Sequence, residues 1–291
     1  MPRIALVGPG AVGSALAAWL HDTSRHELTV CARRPFSRID VQTPTKRICF
    51  EPPVLTEPEA AAPVDWALVT TKAYDSAGAA AWLKRLCGAG APAVILQNGV
   101  EHVERFAPFL PAGQILPAMI DLPAERAADL RVTQRGPGKI VVPDGEAGRA
   151  FVRLFEGTPL SVTTTADFKS AIWRKLCLNS AGVISALLLK PTGVLRDEPL
   201  GDIARTLVAE CVAVGRAEGA VLEDELPEAV LAGYRAAPPD GVNSLHADRA
   251  AGRPTEIDAR NGVIVRLGRK HGIPTPCNAM AVALLSEMSR G

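Results

Sequence analysis

Charge imbalance is nearly absent from this chain of 291 residues: Lys and Arg total 32 against 31 for Asp and Glu, a formal net charge of +1. Such a balance gives neither nucleic acid nor an anionic membrane a reason to bind. Long apolar runs are missing too, none reaching the roughly 18 residues of a transmembrane span. The apolar start with its single arginine could pass for a secretion leader, but its glycines and the polar HDTSRHE that follows argue against export. The 6 cysteines (Cys31, Cys49, Cys87, Cys177, Cys211, Cys277) include no C-x-x-C and no short spacing, so they read as reduced core residues of an intracellular, cytoplasmic protein. No H-E-x-x-H occurs, and His246 and His271 stand isolated as surface or core residues, so no metal site is expected. Aromatics make up only 4%, which suits close-packed helices and says little about function.

What is present begins at the first dozen residues. Four apolar residues, Ile4 to Val7, run into Gly8, Gly10 and Gly13 at the spacing G-x-G-x-x-G, and a helical apolar pattern follows through Ala15, Leu16, Trp19 and Leu20. A buried strand, a tight turn and a helix N-terminus in that order make a pyrophosphate seat: one glycine for the turn, one for close approach of the anion, one for helix packing. The helix end adds unpaired N–H groups and the positive end of its dipole. Residues Gly8, Pro9, Gly10, Ala11, Val12 and Gly13 are therefore the first cofactor-binding candidates.

His26–Ala32 reads as the second strand, and its end would meet the adenine ribose. A carboxylate there suits NAD and a basic residue suits NADP. The chain has Cys31-Ala32-Arg33-Arg34, which favours NADP with Arg33 on the 2′-phosphate; the plain alternative is a solvated pair of arginines. After a proline-rich stretch with a weak strand at Arg47–Phe50, Val64–Thr71 and Ala91–Leu96 read as strands buried on both faces. Lys72 follows the first of these, with Asp75 placed to cap a helix running to Cys87, and Asn98-Gly99 follows the second. Ligands of open α/β sheets bind at such carboxyl ends, although Asn-Gly is also an ordinary turn. Gln114–Ile120 gives a further strand, Ala128–Gln134 and Lys139–Val142 a hairpin around Gly136–Gly138, Ala147–Glu156 a helix and Leu160–Thr164 a last strand. From Asp167 onward the pattern is helical, broken at prolines 191, 199, 227, 238, 239 and 274. The expected architecture is α/β: a Rossmann-type domain over 1–165 and an all-helical domain over 166–291.

In the helical part Asp167 could cap one long helix from Phe168 to about Leu189, and on it Lys175 and Asn179 share a face. The bland reading of Lys175 is a stem lying across apolar surface. Further on, NSLHADRAAGRPTEID spans Asn243 to Asp258. Ser244 could cap a helix starting at Leu245, Pro254 and Thr255 could open another, and Glu256 would then favour that helix dipole.

GPGAVG, VTTKAYD, LQNGV, WRKLCLNS, SLHAD, GRPTEID and HGIPTP, in this order over essentially the whole chain, resemble the ketopantoate reductase family. The resemblance implies NADPH-dependent reduction of a 2-keto acid to a 2-hydroxy acid, with a helical domain of the 6-phosphogluconate dehydrogenase C-terminal type serving substrate binding and homodimer formation. Carried over position by position, Lys175 is the general acid, Asn98, Asn179 and Ser244 hold the substrate, and Lys72, Asn98 and Glu256 join the cofactor residues. One position departs: the family's Asn four residues after Asn179 is Val183, which shortens the polar face and points toward a more apolar keto acid. The rival readings are a 3-hydroxy acid or opine-type dehydrogenase and a non-catalytic NADP-binding sensor.

Overall fold

Helix α1 (Ala11–Asp22) is buried along one side and the other, from Gly13 through Leu20, because it lies between two sheets. The computed structural model describes residues 1–88, 90–127 and 129–288. In chain order the first part comprises β1 (Arg3–Val7), α1, β2 (Glu27–Cys31), β3 (Ile39–Gln42), β4 (Arg47–Phe50), β5 (Val54–Leu55), β6 (Trp66–Val69), α2 (Ser76–Leu86), β7 (Ala93–Ile95) and α3 (His102–Phe106). It continues through β8 (Ile115–Pro117), β9 (Met119–Asp121), β10 (Ala124–Arg126), β11 (Val132–Gln134), β12 (Lys139–Pro143), α4 (Glu146–Leu154) and β13 (Ser161–Thr165). The helical part holds α5 (Phe168–Ala181), α6 (Val183–Leu188), α7 (Glu198–Ala217), α8 (Leu226–Ala236), α9 (Ser244–Ala250), a π turn (Asp258–Gly262), α10 (Val263–His271) and α11 (Pro276–Met288). Two compact units result, Met1–Phe168 and Lys169–Gly291.

The main sheet of the first unit has the order β5-β2-β1-β6-β7-β8 with every pair parallel, the doubly wound order of a dinucleotide fold. The reversal of winding falls between β1 and β6, so the loops after those two strands share one crevice. Ile4, Leu6 and Leu68 pack toward α1, while Ala5, Val7 and Val69 pack toward α2 and α3. That two-sided burial is why these strands read as continuous apolar runs. A second sheet, β10-β11-β3-β4, covers the outer side of α1. There the Trp19 indole N–H donates to Gln134 Oε1 at 2.8 Å, satisfying a polar edge inside the core. A third, small sheet joins β13, β12 and β9.

Several sequence expectations change here. The strand expected over Gln114–Ile120 is two, β8 and β9, which belong to different sheets. The hairpin around Gly136–Gly138 does not form: β11 pairs with β10 and β3, whereas β12 pairs with β9 and β13. Ala128, the expected start of that strand, lies outside the described residues. Antiparallel pairs do join the molecule, through β3–β4, β10–β11 and β9–β12. Cys49 is exposed on β4 rather than in the core, while Cys31, Cys87, Cys177 and Cys211 are buried and all six are free thiols.

In the second unit the long helix is interrupted. Gly182 separates α5 from α6, and a Cβ on it would come within 2.9 Å of the Tyr234 hydroxyl. Pro199 and Pro227 open helices α7 and α8 rather than breaking them, as suits a residue without an N–H to leave unpaired. Asn243, not Ser244, caps α9, its Oδ1 accepting from the His246 N–H at 3.0 Å. The helix expected from Thr255 starts two residues later, at Ile257, and passes through the π turn. Among the described residues no helix is long and apolar enough to cross a membrane.

Candidate active site

The three glycines of the first turn do three different things. Gly8 has φ +94, and a Cβ on it would lie 2.6 Å from Thr71 Cγ2. A Cβ on Gly13 would lie 2.4 Å from Thr70 Oγ1 and 2.5 Å from the Gly8 carbonyl oxygen. Thr70 closes this arrangement by donating from Oγ1 to the Gly8 carbonyl at 2.7 Å. Gly10 differs: it caps α1 in extended backbone, and a Cβ there would meet nothing within 4 Å. Two glycines thus let β1, α1 and the β6 loop pack, and the third leaves open space at a helix N-terminus. That is the shape a pyrophosphate needs, with the first-turn N–H groups of Ala11, Val12 and Gly13 lacking intrahelical acceptors. Pro9 belongs to the same turn, and its carbonyl accepts from Arg126 Nη1 of β10 at 3.0 Å.

Arg33 stands just beyond β2, 85% exposed, with Nη1 3.4 Å from Asp75 Oδ2. An exposed guanidinium at this edge can reach a ribose phosphate at small desolvation cost. Asp75 is at the N-terminal boundary of α2, but its side chain makes no cap bond there. Burial pushes the neighbouring Cys31 thiol up to about 12, so it is no nucleophile near neutral pH.

Lys72 and Asn98 are brought to one edge by a residue that sequence reasoning passed over. Gln97 is 4% exposed, and its Nε2 donates to Thr71 Oγ1 at 3.0 Å and to the Lys72 carbonyl at 3.2 Å. Its Oε1 accepts from Ser76 Oγ at 3.1 Å and from Arg105 Nη1 at 3.1 Å. Arg105 Nη2 donates in turn to the Asn98 carbonyl at 3.1 Å, and His102 Nε2 lies 2.7 Å from the Gln97 carbonyl. A carbonyl only accepts, so that His102 nitrogen carries the proton. Burial, opposed by this bond and reinforced by Arg105, lowers His102 to about 4, and the ring stays neutral. In the sequence His102 and Arg105 stand out by helical spacing, three apart on α3, whereas nothing local marks Gln97.

In the helical unit Lys175 and Asn179 are both half-buried on α5, one turn apart, with Ile172, Leu176 and Ile184 buried around them. The carbonyls at the end of α5, which a helix terminus leaves without partners, are taken by side chains. Tyr234 donates to the Leu178 carbonyl at 2.9 Å, Asn261 Nδ2 to that of Ser180 at 3.1 Å, and Asn243 Nδ2 to that of Gly182 at 2.9 Å. Arg260 Nη2 donates to the Asn179 carbonyl. Arg260 is 2% exposed, and its Nε has no hydrogen-bond partner. Burial lowers its proton affinity, an effect that Tyr234, Glu256 and Asp248 offset in part. Val183, fully buried, opens α6 beside this cluster. Ser244 is exposed at the first position of α9, and Glu256 is 5% exposed, its carbonyl accepting from the Arg260 N–H at 3.2 Å. His246 is a core residue, its Nδ1 3.0 Å from Ser185 Oγ, while His271 Nε2 lies 2.5 Å from Glu218 Oε1.

Comparison with known proteins agrees with this layout. Residues 4–147 match the family described as ketopantoate reductase PanE/ApbA, and residues 167–289 match its C-terminal counterpart. The chain is 55% identical to a 2-dehydropantoate 2-reductase of Caulobacter vibrioides over 98% of its own length and 99% of the relative's. It is 41% identical to one of Mycobacterium tuberculosis over 99% and 98% of the two chains. Among solved structures, a PanE/ApbA family ketopantoate reductase from Ralstonia eutropha superposes with a TM-score of 0.89 at 30% identity, covering 99% of this chain and 98% of that one.

Proposed function

The chain belongs to the ketopantoate reductase family, and from that premise we propose that it reduces a 2-keto acid to the 2-hydroxy acid with NADPH, the keto acid being 2-dehydropantoate or a close relative. Residues 1–165 serve as the cofactor domain and 166–291 as the substrate and dimerisation domain of a cytoplasmic enzyme. The observation that carries this reading is Lys175 and Asn179 half-buried on one face of α5, in a chain whose glycine turn keeps one open position at a helix N-terminus.

The residues of the turn fit a dinucleotide: open space at Gly10, N–H groups from Ala11 to Gly13, and positive charge from Lys72. Arg33 takes the 2′-phosphate and so selects NADPH over NADH. Glu256 contacts the cofactor from the helical domain. Bound there, the nicotinamide supplies hydride to the ketone carbon. A ketone reduced in this way develops negative charge on oxygen. Lys175 Nζ donates a hydrogen bond to that oxygen, stabilises the charge as it grows, and delivers the proton. Asn179, one turn away, orients the ketone or the ammonium, and Asn98 and Ser244 hold the rest of the substrate.

Val183 favours a second reading of the substrate within the same chemistry, a 2-keto acid with an apolar tail, because no amide stands there to meet a hydroxyl. NADPH oxidation across ketopantoate and a panel of keto acids decides between the two. Lys175→Ala is expected to cut turnover by about 100-fold or more, the range of a lost general acid, with NADPH affinity by fluorescence titration unchanged. Unchanged turnover in this variant would refute the mechanism.

A further inference from the structure

We propose that Arg260 is a specificity-determining positioning residue, which fixes the end of α5 through the Asn179 carbonyl and supplies the buried positive charge that selects a carboxylate-bearing ketone over a neutral one. The proposal rests on the reading of Asn179 as a substrate ligand. Four side chains serve the terminal carbonyls of α5 and its break: Tyr234, Arg260, Asn261 and Asn243. Three of the four are neutral. A neutral donor therefore suffices for such a carbonyl, and a guanidinium at the remaining one adds a charge that hydrogen bonding does not require.

That charge is costly where it stands. Arg260 is 2% exposed and its Nε–H has no partner among the described residues, and the carboxylates of Glu256 and Asp248 offset only part of what burial costs it. A buried cation compensated only in part and a buried donor left unmade are both unfavourable. The negative end of the α5 dipole offsets part of the cost. The π turn at Asp258–Gly262 is the local device that holds it: residues 259 to 263 are all buried in succession, which places Arg260 and Asn261 on adjacent α5 carbonyls. Such widened turns are uncommon and tend to occur at functional sites. Gly182 completes the fit, since a Cβ there would come within 3.1 Å of Arg260 Nη2.

The charge is also in the right place. Arg260 touches the backbone of Asn179, so any substrate atom bonded to the Asn179 amide is one short side chain away. A unit charge within ~10 Å of a carboxylate, at an effective dielectric of ~20, changes affinity at least about 10-fold.

The test compares a 2-keto acid with its methyl ester in wild type, Arg260→Gln, Arg260→Lys and Tyr234→Phe. Gln keeps a donor for the carbonyl and loses the charge. Wild type is expected to prefer the acid, and Arg260→Gln to narrow the acid-over-ester ratio of kcat/KM by about 10- to 100-fold, mainly through KM for the acid. Arg260→Lys retains most of the ratio. Tyr234→Phe removes a neutral donor from the next carbonyl, lowering the melting temperature and leaving the ratio in place. A wild-type enzyme with no preference for the acid overturns the proposal, as does Arg260→Gln with the wild-type ratio. An Arg260→Gln chain that does not fold while Arg260→Lys does would make the charge structural and overturn it too. If instead wild type reduces no keto acid, or Lys175→Ala is as fast as wild type, the reductase reading itself falls.

Discussion

Replacing Gly8 and Gly10 separately by alanine should split the turn into a part that builds the fold and a part that binds. At Gly8 the new Cβ would sit 2.6 Å from Thr71 Cγ2 and 2.8 Å from the Thr71 nitrogen, at φ +94. An L-residue at positive φ costs about 1–2 kcal/mol, and overpacking in a closed site adds about 1–3 kcal/mol. The sum, about 2–5 kcal/mol, is a large share of the 5–15 kcal/mol that holds an ordinary domain together. At Gly10 the backbone is φ −73 and ψ −163, and the Cβ would meet nothing within 4 Å. Alanine there should be neutral or stabilise by about 0.4–1 kcal/mol through the unfolded chain. Its methyl group would occupy the space the pyrophosphate enters. Losing one charge-assisted bond of about 1.5–3 kcal/mol corresponds to NADPH affinity weaker by about 10- to 150-fold. Urea unfolding and NADPH fluorescence titration on both variants read the two effects apart. The reasoning fails if Gly10→Ala is as destabilised as Gly8→Ala, or if it binds NADPH with wild-type affinity.

Two more outcomes are expected. Arg33→Ala should reduce the preference for NADPH over NADH by about 10-fold or more, as removal of a charge-assisted phosphate contact does, with little change for NADH; equal losses on both cofactors would count against a 2′-phosphate role. His102 has its folded pKa depressed to about 4 from 6.5. The unfolded chain therefore binds the proton first, and stability falls as pH drops through that window by about 3 kcal/mol in total. His102→Gln, which keeps a donor for the Gln97 carbonyl, should flatten this part of the pH–stability curve; a curve parallel to wild type would refute the assignment.

The features legible in the sequence are those whose cause is local. β1, the glycine turn and α1 announce themselves because a doubly buried strand must be apolar throughout and a turn against Thr71 must lack a Cβ. Lys175 and Asn179 share a face by helical spacing alone. What was not legible depends on partners far along the chain. Gly136 and Gly138 look like a hairpin turn, yet the strands on either side leave for separate sheets, because β11 finds β3 some 90 residues earlier. The break at Gly182 is set by Tyr234, Asn243 and Arg260, which arrive from other helices. Gln97 had no local pattern to mark it, since its role is to bridge the loops after β6 and β7.

The placement of α1 between two sheets has a consequence for cofactor binding. The helix that carries the pyrophosphate seat is itself central core, with Trp19 tied to Gln134 on its outer side. Its hydrogen-bonded amides, from Ser14 on, should exchange with solvent only when the unit opens around them, whereas the first-turn N–H groups that face the seat stay accessible. A loss of packing on the outer side of α1, as in Trp19→Ala, should therefore weaken cofactor binding together with stability.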